Sequence, residues 1–176
     1  MKILKKIGLA ILIIIAIPLT IALFVKKEYN VEREVVINKP GKEVFDYVKH
    51  LKNQDNYSKW VMMDPNMKKD FRGTDGTVGF VYAWDGNKDA GKGEQEIKNI
   101  NEGVSMDVEV RFEKPMEGTA RTPIITEALS ANQTKVKWSM QGKNKYPLNF
   151  MNLFIDKILG KDLETSLTTL KGILER

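Results

Sequence analysis

The chain begins with a long apolar segment that differs from everything after it. Residues 7–25, IGLAILIIIAIPLTIALFV, carry no charge and are flanked by lysines on both sides. This length matches the hydrocarbon core of a bilayer, so residues 1–28 are predicted to be a membrane anchor with one transmembrane helix. A cleavable signal peptide is the alternative, because it also combines a basic start with an apolar run. Against cleavage, the apolar run is long for a signal peptide and no small-x-small site precedes Lys26.

After the anchor, residues 29–37 (YNVEREVVI) have the β-branched content of a strand. Pro40 then starts a helical pattern, and a second short helix is predicted over residues 53–61. The apolar face of the first helix consists of Val44, Phe45, Val48 and Leu51. This opening therefore predicts one strand followed by two short helices.

The middle of the chain reads as a series of strands separated by turn residues. Apolar and polar residues alternate most clearly around Met106 and around Trp138. Short connections indicate antiparallel neighbours, and the alternation gives the sheet one apolar and one solvated face. Including the strand at 29–37, we predict six or seven strands, with one near Phe71 and the others at 77–84, 93–101, 104–113, 119–129 and 134–141.

A long helical pattern ends the sequence and can cover the apolar face of the sheet. It runs from Pro147 to about Glu175, with a leucine stripe at spacings of four, four, three and four. Gly160 predicts a bend or break within it. The stripe consists of Leu159, Leu163, Leu167, Leu170 and Leu174.

Charge and composition remove several classes of function. The net charge of +5 comes from five lysines in residues 1–27, since the 23 Lys and Arg after them balance 23 Asp and Glu. A surface that binds nucleic acid is therefore not predicted. The chain has no cysteine and one histidine, His50, so thiol chemistry and histidine metal clusters are excluded. No pattern calls for a metal, a cofactor or a catalytic triad.

The order of elements resembles the START-like, or SRPBCC, superfamily, which includes polyketide cyclases/dehydrases and lipid-transfer domains. The resemblance covers residues 29–176 and rests on VEREVVINKPGKEVFDYVKHLKNQDNYSKW, on GTVGFVYAW and TKVKWSMQG, and on the terminal helix. It implies an α+β helix-grip fold, in which a curved antiparallel sheet wraps around the C-terminal helix and leaves a hydrophobic cavity. The superfamily has no universal catalytic residue, so the resemblance implies a pocket and no particular reaction.

Candidate ligand contacts are the large side chains predicted to meet between sheet and helix. Each of them can also be ordinary core, but flexible and polar-tipped side chains suit a ligand site. Gln95 joins them because it points inward if Glu94 and Glu96 point outward. The predicted ligand-binding residues are Trp60, Phe80, Tyr82, Trp84, Gln95, Met106, Phe112, Trp138, Met140, Phe150 and Phe154.

Acidic residues suggest two further hypotheses. Asp85, Asn87, Asp89 and Glu96 have the spacing of a calcium loop, but Ala90 stands where that loop needs glycine and the flanks read as strands. A solvated hairpin is the interpretation we adopt. The pairs Glu94 with Glu96 and Asp107 with Glu109 suit acid/base chemistry only if one member is buried. We expect them to form a polar row facing solvent.

Three functions remain open from the sequence. The first is a membrane-anchored protein that binds or transports a small hydrophobic, lipid-like ligand. It would lie in a bacterial cytoplasmic membrane with residues 29–176 outside, since slightly more lysines precede the helix than follow it. The second is a cyclase/dehydratase-type enzyme that polarises an enclosed substrate with Tyr82, Gln95 or a buried carboxylate. The third is a ligand-free scaffold whose segment 147–159 docks a partner or the membrane.

Overall fold

The structure is a computed structural model that describes residues 2–176, and it begins with helix α1, Lys2–Ala22. Its window Lys5–Ala22 has a mean hydropathy of 2.1 and only 6% of it is buried. Length and composition fit a membrane span, and a signal sequence has the same features. The helix ends before Val25 because the N–H groups of Leu23 and Phe24 bond to carbonyls three residues back, which tightens the last turn.

Eight antiparallel strands form one sheet in the order β1-β8-β6-β5-β4-β3-β2, and β7 pairs with β5 and β8. The predicted α+β helix-grip architecture is confirmed. Neighbouring strands are joined mostly by short turns, as the turn residues indicated. The strands are β1 Glu28–Ile37, β2 Lys68–Arg72, β3 Val81–Asp85, β4 Lys92–Asn101, β5 Ser105–Lys114, β6 Gly118–Arg121, β7 Ile124–Ser130 and β8 Gln133–Lys143.

The strand count exceeds the predicted six or seven because segment 119–129 is two strands. Pro123 has no N–H to donate to a ladder, and the chain changes partners there. Before it, β6 pairs with β5 and β8; after it, Ile124 lies opposite Trp138 of β8. The Thr122 N–H donates instead to the Val108 carbonyl at 2.7 Å. The break leaves Thr122 buried on the inner side of the sheet.

Two short helices stand where one was predicted over residues 53–61. Helix α2, Gly41–Val48, is followed by a 3-10 turn at Leu51–Asn53, by α3, Gln54–Tyr57, and by α4, Lys59–Met62. The backbone is extended at Ser58, between α3 and α4. The Lys59 N–H, which a continuous helix would use internally, donates to Ser166 Oγ at 2.9 Å. This contact ties the helical segment to the C-terminal helix.

The C-terminal helix α5, Asn152–Leu174, follows a 3-10 turn at Leu148–Met151. The predicted bend or break at Gly160 is wrong, because α5 continues through it. Glycine is needed at this position because a Cβ would overlap the guanidinium of Arg33. This guanidinium lies against α5 and pairs with Asp156 at 3.0 Å. The leucine stripe faces the sheet, with Leu163, Leu167, Leu170 and Leu174 buried.

The hydrophobic core lies between the inner face of the sheet and α5, with α2 and the Leu51–Tyr57 segment closing one side. Inward residues come from alternate positions of β5 and β8, as the patterns around Met106 and Trp138 predicted. Phe80 and Met106 are almost completely buried in it. Much of the interior is therefore packed core.

Gly93 marks a close approach between strands near the aromatic residues of this core. It lies at a register shift between β4 and β5, and a Cβ there would stand 2.5 Å from the Arg111 carbonyl oxygen and 2.9 Å from the Trp84 ring. Gly93→Ala is expected to lower the free energy of unfolding by about 1–3 kcal/mol in urea denaturation. The matched control is Gly118→Ala in β6, where a Cβ meets no atom within 4 Å. If both substitutions have the same small effect, the close packing at Gly93 is contradicted.

Candidate functional site

A cavity of about 160 Å³ opens between the sheet, the α3–α4 segment and the first half of α5. Trp84, Phe112 and Leu159 are only half-buried, so the cavity communicates with the surface. Its size is close to that of cavities that hold a benzene-sized molecule, and below the usual range of pockets for larger ligands. Its lining consists of Gln54, Ser58, Trp60, Val61, Met67, Tyr82, Trp84, Ala90, Gln95, Val110, Phe112, Thr122, Trp138, Met140 and Leu159.

Two edge-to-face aromatic pairs form much of the wall. The Trp60 and Trp138 rings have centroids 5.7 Å apart at an interplanar angle of 89°. The Trp84 and Phe112 rings have centroids 6.3 Å apart at 80°. These geometries suit the ring quadrupoles and make the wall stiff. The Trp84 indole N–H donates to the Ala90 carbonyl at 3.1 Å, so this side chain keeps its orientation without a ligand.

A small polar group interrupts the apolar lining. Gln95 Nε2 donates to Gln54 Oε1 at 3.0 Å, and both side chains are buried. Each amide retains further hydrogen-bonding capacity, because a primary amide carries two donors and an acceptor with two lone pairs. Ser58 and Thr122 add two buried hydroxyl side chains. The cavity can therefore accept a mostly apolar molecule that carries one polar group.

The ring of Tyr82 lines the cavity, while its hydroxyl is engaged in a hydrogen bond to another side chain. The hydroxyl donates to Asp55 Oδ1 at 2.7 Å, and Asp55 also contacts Lys69 Nζ at 2.8 Å. Burial, and then the hydrogen bond to Asp55, raise the pKa of Tyr82 above its usual value. The phenol stays protonated at neutral pH, and its proton is held by Asp55.

The structure brings seven of the eleven predicted site residues to the cavity: Trp60, Tyr82, Trp84, Gln95, Phe112, Trp138 and Met140. The other four lie outside it. Phe80 stacks on Phe71 in the core, and Met106 lies farther along β5 beside Ile124.

Phe150 and Phe154 pack on each other, with ring centroids 5.8 Å apart, near the start of α5. Phe154 and the cavity residue Leu159 are five residues apart, which is about 140° around a helix. The helix therefore turns Leu159 inward and leaves Phe154 about half exposed.

Eight lining residues were not predicted. Val110 and Leu159 could have been predicted from the sequence, because they lie on the apolar faces of β5 and α5. Gln54, Ser58, Val61 and Met67 depend on the path of the chain between α2 and β2, where no periodic pattern exists. Thr122 reaches the cavity through the break at Pro123, and Ala90 through the hairpin between β3 and β4.

The acidic residues lie on the outer side of the sheet, where Arg111 gathers three of them. Its guanidinium contacts Glu94 at 2.9 Å, Glu96 at 2.8 Å and Glu109 at 2.5 Å. Its hydrogen bond lowers the pKa of Glu94, and Lys98 together with Arg111 lowers that of Glu96. Glu94 and Glu96 are thereby held ionised, and all three carboxylates belong to one ion-pair cluster around Arg111.

Two of the residues with the spacing of a calcium loop make other contacts in the structure. Glu96 is engaged by Arg111 and Lys98. Asn87 Oδ1 accepts hydrogen bonds from the backbone of Asp89 and Ala90, which shapes the hairpin turn. No group of three or more potential metal-binding His, Asp or Glu side chains occurs within residues 2–176.

The fold was compared with those of known proteins. No protein-family model matches the chain, and no curated protein matches it either. Solved structures do resemble it across most of its length. The Zhui aromatase/cyclase from Streptomyces sp. R1128 has a TM-score of 0.62 at 12% identity, covering 85% of this chain and 94% of that one.

Two further structures show the same likeness. Ara h 8.0201 has a TM-score of 0.59 at 16% identity, covering 84% of this chain and 97% of that one. The protein XoxI from Bacillus cereus has a TM-score of 0.60 at 13% identity, covering 82% and 94%. Identities this low establish a shared fold and nothing about ligands. The chain therefore shares the helix-grip fold of these structures.

Proposed function

We propose that this protein binds a compact apolar molecule, or the apolar end of a larger one, in the cavity while α1 holds it at a membrane. The observation that carries this proposal is the open cavity itself, with its stiff aromatic walls and its single buried amide pair. A filled interior would have favoured a scaffold without a ligand. One structure of the same fold is an aromatase/cyclase and another, DynU16, comes from the dynemicin biosynthetic locus, which supports a ligand site.

The size of the cavity limits the ligands that it can hold. At about 160 Å³ it is too small to enclose a whole phospholipid or polyketide, so bulk lipid transport is less well supported than binding of a small molecule or a single chain end. Apolar burial supplies the affinity, and the Gln54–Gln95 pair offers hydrogen bonds to one polar group. As the location we propose a bacterial cytoplasmic membrane with the folded part outside, and the slight excess of lysines before α1 supports this orientation.

A cyclase/dehydratase reaction is the second candidate, favoured by the likeness to the aromatase/cyclase. Among the lining residues, Tyr82 is the only ordinarily titratable side chain, and its proton is held by Asp55. General acid/base catalysis needs a group that can exchange a proton with the substrate. Binding is therefore the better supported function.

Mass spectrometry of organic extracts from the natively purified full chain tests the binding proposal. Lipids that surround α1 are expected in every sample, so the matched control is Val110→Phe, which fills the cavity and leaves α1 unchanged. A compound present in about one copy per chain in the wild type and depleted at least about tenfold in Val110→Phe supports the cavity as a binding site. Identical extracts from the two proteins would contradict it.

A further inference from the structure

An exposed apolar stripe runs along the outward side of the 3-10 turn Leu148–Met151 and of the first turns of α5. Four of its residues recur at spacings of three, three and four, which places them on one face of the helical segment. Their exposed fractions are between 46% and 51%, although each is a large hydrophobic side chain. We call Leu148, Met151, Phe154 and Ile158 the outer face of α5.

Two asparagines within this stretch hold the end of α1. Asn149 Nδ2 donates to the carbonyls of Ala22 at 2.6 Å and Val25 at 2.8 Å. Asn152 Nδ2 donates to the carbonyls of Lys26 and Lys27, both at 2.9 Å. The Ala22 carbonyl is one of those that a helix leaves unsatisfied at its C-terminal end, and the other three lie in the link between α1 and β1. The outer face of α5 therefore begins beside the point where α1 ends.

The surroundings of this face combine apolar and basic residues. Leu23 and Phe24, directly after α1, are 67% and 85% exposed. Lys26, Lys27 and Lys157 are exposed close by along the chain. An apolar stripe bordered by lysines is the pattern of a helix that lies in the interface of a membrane with anionic lipids.

We propose that the outer face of α5 rests in the interfacial layer of the bilayer that α1 spans, with anionic headgroups as its polar contacts. The inference rests on the proposed membrane span. It also assigns an orientation, because Leu159, about 140° around the same helix from Phe154, lines the cavity. The start of α5 then separates the bilayer from the cavity, and the ligand site lies directly above the membrane surface.

Site-specific quenching tests this placement, and the chain suits it because it has no cysteine. Single cysteines replace Phe154, Ile14 in α1, and Leu129 as the matched control, and each carries a bimane label in the full chain. Leu129 is 46% exposed, like the outer face of α5. It lies beside the start of β8, whereas α5 begins beside the end of β8, so the two sites are roughly 30 Å apart. The proteins are placed in phosphatidylcholine vesicles with or without phosphatidylglycerol, with doxyl-labelled lipid as the quencher.

The label at residue 154 is expected to lose at least about half of its fluorescence to doxyl lipid, more with phosphatidylglycerol than without it. The label at 129 should keep its fluorescence. Quenching at 14 but not at 154 overturns the inference and leaves the span intact, whereas no quenching at either site overturns both. A label at 154 that is shielded from aqueous iodide but not quenched by lipid shows that protein covers the face, which also overturns the inference.

Discussion

Val110→Phe is expected to weaken binding of toluene to the full chain at least about tenfold, or 1.4 kcal/mol, in isothermal titration calorimetry. Val110 is 6% exposed on β5 and lines the cavity between Gln95 on β4 and Ala120 on β6. A phenyl ring there would occupy space that the ligand needs. Because it fills an existing void, the substitution is expected to change the free energy of unfolding by less than about 2 kcal/mol.

Val108→Ala is the matched control for this substitution. Val108 lies two residues earlier on the same strand and the same face, is 2% exposed, and does not line the cavity. Its truncation should cost about 2 kcal/mol of folding stability while leaving toluene affinity within about twofold of the wild type. Equal affinity of Val110→Phe and the wild type would show that toluene binds elsewhere or that the cavity does not take a ligand.

Arg111→Met is expected to lower the free energy of unfolding by about 1–3 kcal/mol at pH 7. The substitution keeps the apolar stem of the side chain but leaves Glu94, Glu96 and Glu109 without their shared partner. In the wild type the pKa of Glu94 is lowered chiefly by Arg111, and the pKa of Glu96 by Lys98 and Arg111. Their stabilising contribution is therefore complete above the usual glutamate pKa of 4.5 and is lost as the pH falls below it.

The difference between wild type and Arg111→Met should therefore shrink as the pH is lowered from 7 to 4. Below about pH 4.5 the unfolded chain takes up protons that Glu94 and Glu96 resist in the folded wild type, so the stabilisation that Arg111 supplies decreases. The control is Arg121→Met, which removes an ion pair with Asp107 whose arginine side chain is 63% exposed. Its effect should stay below about 0.5 kcal/mol. Urea titrations at both pH values measure all three proteins, and a pH-independent loss for Arg111→Met would contradict the cluster.

The sequence predicted most of the fold because local patterns match the final packing. Alternation in β5 and β8 marks one buried face, and the leucine stripe of α5 marks the side that meets it. The deviations occur where tertiary contacts replace local ones. Ser166 accepts the Lys59 N–H and interrupts a helix, while Pro123 moves the chain between strand partners.

The candidate site was less accessible to sequence reasoning. Alternation tells which side of a strand faces inward but not whether the facing side chains meet or leave a gap. Phe80 and Tyr82 have the same parity and chemistry, yet Phe80 packs in the core and Tyr82 lines the cavity. The volume of the cavity depends on the distance between the sheet and α5, which no local pattern encodes.

Intrinsic fluorescence tests the central claim most directly, because the chain has three tryptophans and all of them line the cavity. The full chain in detergent is titrated with straight-chain alcohols from hexanol to dodecanol, and Val110→Phe serves as the control for partition into the detergent. We predict a saturable change in tryptophan emission when hexanol is added to the wild type. The affinity should increase little further once the alkyl chain of the alcohol is longer than the cavity. Val110→Phe should show no saturable change. Emission that changes linearly and equally in both proteins would show that Trp60, Trp84 and Trp138 surround no usable binding site.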